Sequence, residues 1–512
     1  MDRIVNCWHA ASALSFVSSM RVPLAWSCTH FLRVSLSVFA LSLLSGFALL
    51  VQSVYAAPTV VVVGSKDPLV DVPAVQAAVD RGGTVILRGT FDFGTDSGNF
   101  IVVPGRTGAA QDAKGKSTVF VYQKDVTILG ERGPKGELLT VVKNGMPAFW
   151  VGWDGEVSRT PYPGTLGADY AVDTVPTDAL GRVAYRDGVT DPGYTGAQTR
   201  YVRAFELVNV TVKWIHFESP KHFGVKTTAA RDVTVVGNEF TNVQFGGLIY
   251  GAGLGNGATH IAAAAGFVAT IYPPYVYPAI IGSVVAERNV VNDVGTELID
   301  THSGECFGIA TIASSGPVIM ERNDIRNVGR SADGMGPALL AASGLLVIEN
   351  YATIPLITHN TVYNSAVFGI WDYCVIAPSP GAEIAHNTIV DSAIGIASYS
   401  EIKAGARPGG LIHQNLILQD GQVGVGQDAI LAFTVNGATM TANDFQGDYA
   451  GPLVVLSNST NCTLLDNRDL RPTSASGSLT YFLDASTSGN LIQAASGTAF
   501  DLGTNNLIFI AR

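Results

Sequence analysis

An asparagine that returns in the same local setting along the chain is the feature that most restricts how this protein can fold. A mostly apolar residue stands three positions before each copy, and another stands two positions after it, except after the last copy, where Asp469 follows. Copies in the C-terminal half are one short unit apart. Such a repeat indicates stacked units that cannot bury an apolar face alone. The copies are Asn238, Asn289, Asn323, Asn360, Asn387, Asn415, Asn443 and Asn467.

The units are built from short β-rich runs. None has a 3.6-residue period over ten or more residues, whereas Glu383–Val390 is typical of a strand, a turn and a strand. In stacked coils about 4.8 Å apart, buried asparagine amides can hydrogen bond along the axis. We therefore predict an all-β fold, a single-stranded right-handed parallel β-helix. A second polar column, four residues after the first, supports this register: Asn242, Asp293, Asn327, Asn364 and Asp391.

Two segments near the N-terminus resemble a known superfamily. Residues Val72–Leu87, with their Gly-Gly-Thr-Val run, and Asp125–Gly130 look like the first coils of the pectin-lyase-like right-handed parallel β-helix proteins. The resemblance covers about residues 58–470 and implies an N-terminal capping helix with loop insertions between coils. This superfamily holds polysaccharide lyases, hydrolases, epimerases and non-catalytic binding proteins, so the resemblance specifies the fold and leaves the reaction open.

The catalytic motifs of the characterised enzymes in this superfamily are missing from the chain. The arginine motif of pectate lyases and the paired aspartates of polygalacturonases are absent, and Asp300-Thr301-His302 is the nearest string to the Asp-Pro-His of alginate epimerases. No catalytic set can therefore be transferred residue by residue.

The N-terminus has the features of a signal peptide. Arg21 and Arg33 precede an apolar run over residues 34–51, and Val54–Ala56 supplies small residues for cleavage. We predict an exported protein, periplasmic or extracellular, without a stable membrane anchor. Met20 is an alternative start.

Three segments make up the predicted domain organisation. Residues 1–56 form the signal peptide, residues 57–470 form the β-helix, and residues 471–512 supply closing strands of the same domain. Both ends of such a stack need a cover, because open strand edges promote aggregation. We expect a monomer.

Net charge and cysteine content exclude several classes of function. A net charge of −11 argues against nucleic-acid binding, and an anionic glycan would need a local basic strip. The mature chain keeps Cys306, Cys374 and Cys462, an odd number that predicts free thiols rather than a disulfide framework. A catalytic thiol is an alternative, and no zinc-ligand spacing is present.

Two consecutive coils carry long loops, Gly295–Cys306 and Gly329–Ser343. Because coils stack, these loops should lie side by side and wall a cleft. Abstraction of a proton beside a uronate carboxylate needs a base, a proton donor and a cation. Hydrolysis by two carboxylates, or polar loop residues in water, remain alternatives. The candidate catalytic residues are Asp300, His302, Glu305, Arg330 and Asp333.

The residue just before the repeated asparagine forms a second candidate group. Its copies should stack at a corner as a basic stripe for an acidic glycan; the alternatives are a solvated stripe with self-paired charges, or metal binding by the two histidines. The members are Arg288, Arg322, His359 and His386.

A third candidate group is Trp371, Asp372 and Tyr373, which follow a glycine corner. Aromatic rings beside an acid suit sugar stacking, although rings at such corners also cover cores.

Two hypotheses on function follow, with a weaker third. The first is an exported enzyme, a lyase or epimerase that acts on an acidic, uronate-containing polysaccharide. The second is a non-catalytic β-helix that binds glycan or serves as an envelope scaffold, and the third is a periplasmic metal-handling β-helix. The paired loop insertions favour the first, because a scaffold has little use for them. No cofactor is predicted with certainty, and Ca²⁺ is a candidate ion.

Overall fold

The computed structural model describes part of the chain, and the segment predicted as a signal peptide lies outside it. Within the described ranges, no helix is long and apolar enough to span a membrane. The described residues are 58–95, 117–121, 123–145, 147–152, 182–184, 190–195, 209–221, 223–228, 232–243, 249–250, 260–270, 283–295, 304–312, 317–329, 341–348, 353–374, 380–400, 407–419, 427–471 and 479–511.

These ranges hold one helix, α1 (Pro68–Val79), and 42 strands. In chain order the strands are β1 Thr59–Val63, β2 Gly83–Arg88, β3 Thr90–Asp92, β4 Val119–Val121, β5 Val126–Gly130, β6 Val141–Lys143, β7 Phe149–Gly152, β8 Arg182–Ala184, β9 Thr190–Thr195, β10 Val210–Lys213, β11 His216–Glu218, β12 Phe223–Thr228, β13 Val233–Val236, β14 Glu239–Val243, β15 Ile249–Tyr250, β16 His260–Thr270, β17 Val284–Glu287, β18 Val290–Val294, β19 Gly304–Ile312, β20 Val318–Glu321, β21 Asp324–Val328, β22 Ala341–Ile348, β23 Leu356–Thr358, β24 Thr361–Ser365, β25 Phe368–Cys374, β26 Glu383–Ala385, β27 Thr388–Val390, β28 Ile394–Ser400, β29 Arg407–Pro408, β30 Leu411–His413, β31 Leu416–Gln419, β32 Asp428–Phe433, β33 Val435–Asn436, β34 Thr439–Thr441, β35 Asp444–Gly447, β36 Val454–Ser457, β37 Thr463–Leu465, β38 Arg468–Asp469, β39 Tyr481–Leu483, β40 Leu491–Ala494, β41 Ala499–Asp501 and β42 Leu507–Ile510.

Three long parallel sheets account for most of these strands, and each coil contributes one strand to each sheet in turn. Sheet A runs β1-β2-β5-β10-β13-β17-β20-β23-β26-β30-β34-β37-β40-β42. Sheet B runs β3-β6-β11-β14-β18-β21-β24-β27-β31-β35-β38. Sheet C runs β4-β7-β12-β16-β19-β22-β25-β28-β32-β36-β39-β41. This order is a right-handed parallel β-helix, so the predicted fold is confirmed.

The core lies between the three sheets, because alternate residues of each strand point inward. In β17, for example, Val284 and Ala286 are buried and their neighbours are partly exposed. The predicted N-terminal helix is present: Asp67 caps α1 by accepting a hydrogen bond from the Leu69 amide at 2.9 Å. Val75 and Val79 of α1 join the core cluster, so the helix covers the first coils.

The repeated asparagines form one buried ladder at the turn from sheet A to sheet B. Asn387 is 1% exposed, and its Oδ1 accepts from the backbone amide (2.9 Å) and Nδ2 (3.0 Å) of Asn360. Its own Nδ2 donates to the carbonyl of Ile357 at 2.8 Å. The same bonds link all eight asparagines. The predicted inward column is therefore confirmed.

Left-handed backbone makes the two-residue turn tight enough for the ladder. The residue before each asparagine has a positive φ, as in Arg288 (53°) and His359 (58°). Such a φ is unfavourable for a residue with a Cβ, so the ladder bonds offset local strain in each coil except the one in which Gly237 holds this position. The second polar column has positive φ as well, and Asn364 Nδ2 donates to Asn327 Oδ1 at 2.8 Å.

Replacement of one ladder asparagine tests these bonds. Asn387→Ala should lower the free energy of unfolding by about 1–3 kcal/mol, because it leaves buried donors of Asn360 and the Ile357 carbonyl without partners. Chemical denaturation of the purified protein measures the change. A variant that unfolds like the wild type would show that water satisfies these groups.

Candidate functional site

The candidate catalytic residues lie almost entirely outside the described ranges. Asp300, His302, Arg330 and Asp333 belong to loops that are not described, and Glu305 is described only as part of β19. The strands that flank the two loops are paired in register, Val294 with Val328 and Glu305 with Ala341. Both ends of the two loops are thus neighbours, while the cleft that they were predicted to wall stays a prediction.

The stripe before the ladder asparagines lies at one corner of successive coils, but its charges are partly neutralised. Arg288 Nη1 lies 2.9 Å from Glu287 Oε1, and Arg322 Nη1 lies 2.7 Å from Glu321 Oε1. The rings of His359 and His386 stack with centroids 4.9 Å apart. Since each arginine faces a glutamate, the stripe offers little net positive charge to a polyanion. Its role in glycan binding stays a prediction.

The structure separates the members of the third candidate group. Gly369 and Ile370 of β25 both face the core, where a Cβ on Gly369 would clash with Cγ2 of Ile389. Alternation then places Trp371 on the outer face of sheet C, with Asp372 pointing inward at 2% exposure.

The Asp372 carboxylate is bound inside the protein. Its Oδ1 accepts from Arg407 Nη2 at 2.5 Å, and its Oδ2 accepts from the Ala382 amide at 3.0 Å. Arg407 is 1% exposed and also donates to the carbonyls of Asp372 and Tyr399. Asp372 thus holds a corner of the β-helix and is too buried to contact a sugar, so its predicted role in substrate binding is wrong.

The outer face of sheet C carries three rows of side chains, because equivalent residues of successive strands stack. Row 1 holds Phe307, Ser343, Phe368, Ile394 and Asp428. Row 2 holds Phe120, Trp150, Lys226, Ala310, Leu346, Trp371, Ala397, Leu431, Val455, Phe482 and Phe500. Row 3 holds Ile348, Tyr373, Tyr399, Phe433 and Ser457.

Five aromatic rings in these rows form a continuous patch, which we call the aromatic platform. Its rings stack from Phe368 to Trp371 (4.5 Å) and from Trp371 to Tyr373 (4.5 Å), continue to Tyr399 (5.4 Å) and end at Phe433 (4.6 Å from Tyr399). All five are partly exposed. The rings lie on the face opposite to the β-helix interior, where Trp371 and Tyr373 pack against a second, smaller cluster of buried residues, Phe223, Phe307, Ala310 and Leu346.

Exposure along row 2 changes where the platform begins. Ala310 and Leu346 are fully buried at 0%, whereas Trp371 and Leu431 are partly exposed. The indole Nε1 of Trp371 is buried and has no hydrogen-bond partner in the structure. The partly exposed positions of row 2 therefore begin at Trp371, and the buried Ala397 lies between Trp371 and Leu431.

Asp428, the first residue of β32, is a functional candidate that the sequence analysis missed. It lies in row 1 beside the platform, and burial raises the pKa of its carboxyl to about 6. No motif marks it in the sequence. Acids with such a pKa cluster at functional sites.

In the described part of the chain, no group of three or more His, Cys, Asp or Glu side chains is placed to hold a metal ion. Cys306, Cys374 and Cys462 are buried and are not joined to one another by a disulfide, and the pKa of Cys462 is raised to about 11 by burial. Neither observation adds a catalytic group to the platform.

No protein-family model and no curated protein matches the sequence. Similar solved structures include the surface adhesin PfbA of Streptococcus pneumoniae, at 12% identity over 85% of this chain and 91% of that chain, with a TM-score of 0.44. An alginate lyase aligns at 9% identity over 89% of each chain, with a TM-score of 0.43. The A-module of an Azotobacter vinelandii mannuronan C-5 epimerase aligns at 12% over 88% and 94%, with a TM-score of 0.32. With TM-scores below 0.5, these likenesses add nothing to the fold, which the strand order already defines.

Proposed function

We propose that this protein is an exported β-helix that binds polysaccharide across the outer face of sheet C, with the aromatic platform as the contact surface. The observation that carries the proposal is the run of five partly exposed rings in mutual contact, stacked or edge-on, from Phe368 to Phe433 on the outer face of sheet C. Pyranose rings have apolar faces that pack on aromatic side chains, while their hydroxyl groups stay in water.

The rigidity of the scaffold supports the same proposal. Tyr373, Tyr399 and Phe433 lie in register on three successive strands of sheet C, so their spacing is set by parallel pairing at about 4.8 Å per strand. A binding surface that is held by regular strands loses little conformational entropy when a ligand binds. An extended glycan can therefore contact several rings at once.

Whether the protein also cleaves or epimerises its glycan depends on the two long loops. Proton abstraction by Asp300 and His302, with Arg330 neutralising a uronate, remains our proposal for an enzymatic form of the function. The flanking strands place both ends of these loops where the chain enters sheet C from sheet B, which is the edge that leads onto row 1. A non-catalytic glycan-binding protein or envelope scaffold is the alternative.

Truncation of the platform tests the proposal. In isothermal titration against soluble cello-, xylo-, manno- and galacturonate oligosaccharides, Trp371→Ala and Tyr399→Ala should each weaken binding of the preferred probe about tenfold or more, as for buried aromatic anchors. The absorbance of unsaturated products, measured on uronate polymers in parallel, separates a lyase from a binding protein.

The matched control is Tyr363→Ala, which removes a partly exposed ring from sheet B and should leave affinity unchanged. Circular dichroism establishes that all three variants keep the wild-type fold. Equal affinities for wild type and platform variants, or a wild type that binds none of the probes, would refute the proposal.

A further inference from the structure

Asp428 occupies a defined place on the binding face. The outer residues of β32 are Asp428, Leu431 and Phe433, so the carboxyl shares a face with the last ring of the platform. In row 1 it follows Ile394 and lies two strands, about 10 Å, from Phe368. A glycan that lies on Phe368 and extends along row 1 towards the C-terminal coils reaches this carboxyl.

The Asp428 carboxylate has no partner among the residues that the structure describes. It makes no hydrogen bond or ion pair with any described residue, although its backbone amide bonds to the Ala393 carbonyl. The adjacent positions are apolar or small: Ile394 is 9% exposed, and a Cβ on Gly451 would stand 2.8 Å from Asp428 Oδ1.

Other titratable groups do not account for the raised pKa of Asp428. On the elements packed against it, Tyr399 lies in row 3 towards the far end of β28, and Asp448 is exposed. Burial alone raises the pKa of the Asp428 carboxyl to about 6, with no contribution from a charged neighbour. The carboxyl is therefore ionised at neutral pH, and no described residue supplies it with a counter-charge.

Cations are scarce on this face. Among the described members of the three rows, Lys226 is the one cation, four strands or about 19 Å from Trp371. It is 5% exposed, with Nζ 3.9 Å from the centre of the Trp150 ring. Arg407 is closer in sequence, yet its guanidinium is bound inside by Asp372. Of the described residues in the three rows near the platform, Asp428 thus supplies an unpaired negative charge.

From this arrangement we infer that Asp428 makes the aromatic platform selective for uncharged sugars at neutral pH. Its carboxylate accepts a hydrogen bond from a sugar hydroxyl, which supplies the missing partner, and repels the carboxylate or sulfate of an anionic glycan. The inference rests on the proposed function of the platform and adds its substrate class. It also distinguishes this face from the corner stripe, for which an acidic glycan was predicted.

The test compares neutral and acidic probes of matched length at two pH values. Wild type should bind a neutral hexasaccharide, of xylose, mannose or glucose, at least about tenfold more tightly than hexagalacturonate at pH 8. At pH 5 the preference should shrink, because Asp428 is then mostly protonated while uronates of ordinary pKa stay ionised. Asp428→Asn should remove most of the preference at pH 8 and abolish its pH dependence.

Asp466→Asn is the control, since it removes one exposed carboxylate from the corner between sheets A and B and should preserve the wild-type preference. Equal binding of both probes at pH 8, or an unchanged preference in Asp428→Asn, would overturn the selectivity while the binding function stands. A wild type that binds neither probe would refute the proposed function itself, and the selectivity with it.

Discussion

Asp372→Ala should lower the free energy of unfolding by about 3–5 kcal/mol, because it leaves the guanidinium of Arg407 buried without its counter-ion. Arg407 is 1% exposed, so water cannot replace the lost carboxylate without local opening. The Ala382 amide loses its acceptor at the same time. Denaturant unfolding followed by tryptophan fluorescence measures the difference from wild type.

A double variant distinguishes the effect of an unpaired charge from the effect of altered packing at the Asp372 position. Val347 and Ser398 occupy the Asp372 position in the neighbouring strands, so valine fits there. Asp372→Val combined with Arg407→Met removes both charges and should be clearly more stable than Asp372→Ala. If the double variant is as unstable as the single one, the loss arises from packing at this corner rather than from an unpaired charge.

Asp428→Asn should instead stabilise the protein at pH 8, by about 2 kcal/mol or less once solvent screening of this partly exposed carboxyl is taken into account. The pKa of this carboxyl is raised from 3.8, the value of an exposed aspartate, to about 6 in the folded protein. Between these two pH values the folded state therefore binds more protons than the unfolded state. Below about pH 4 Asp428 is protonated in both states and does not reduce stability. As the pH rises to about 6, the free energy of unfolding falls, because the buried carboxyl ionises less readily than the unfolded one. Asparagine removes the penalty above pH 6 and changes little at pH 4.

Unfolding of wild type and Asp428→Asn at both pH values checks this sign. Asp466→Asn, which removes an exposed carboxylate, should change stability little at either pH. A gain that is the same at pH 4 and pH 8 would mean that the asparagine packs better and that the charge is irrelevant. Together with the binding assay, the result would identify Asp428 as a residue kept for function at the expense of stability.

The fold could be predicted because its determinants are local. A left-handed residue followed by asparagine is a two-residue turn, and its repetition fixes which side chains stack, whatever lies between the copies. The outward positions of Trp371 and Tyr373 also follow from strand alternation, which should have separated Asp372 from them. Strand alternation alone does not predict that Gly369 and Ile370 both face the core. Because they do, Phe368 lies on the outer face with the other rings of the platform.

Asp428 and Arg407 could not be found from the sequence for a different reason. Each follows a loop whose length differs from those of the coils before it, so neither shares a spacing with its structural neighbours. Asp428 becomes notable only when Ile394 and Phe368 are known to lie in the same row. Arg407 becomes notable only beside the inward carboxylate of Asp372. Such partners are set by stacking between coils.

The asparagine ladder also bears on how a chain of this kind can change over generations. Its rungs join residues 51 positions apart at Asn238–Asn289 and 24 positions apart at Asn443–Asn467, with similar bonds of 3.3 and 2.8 Å. The intervening segment can therefore gain or lose dozens of residues while the turn stays the same. Substitutions and insertions are therefore tolerated mainly between the rungs. New surface loops can evolve there without disturbing the β-helix that carries them.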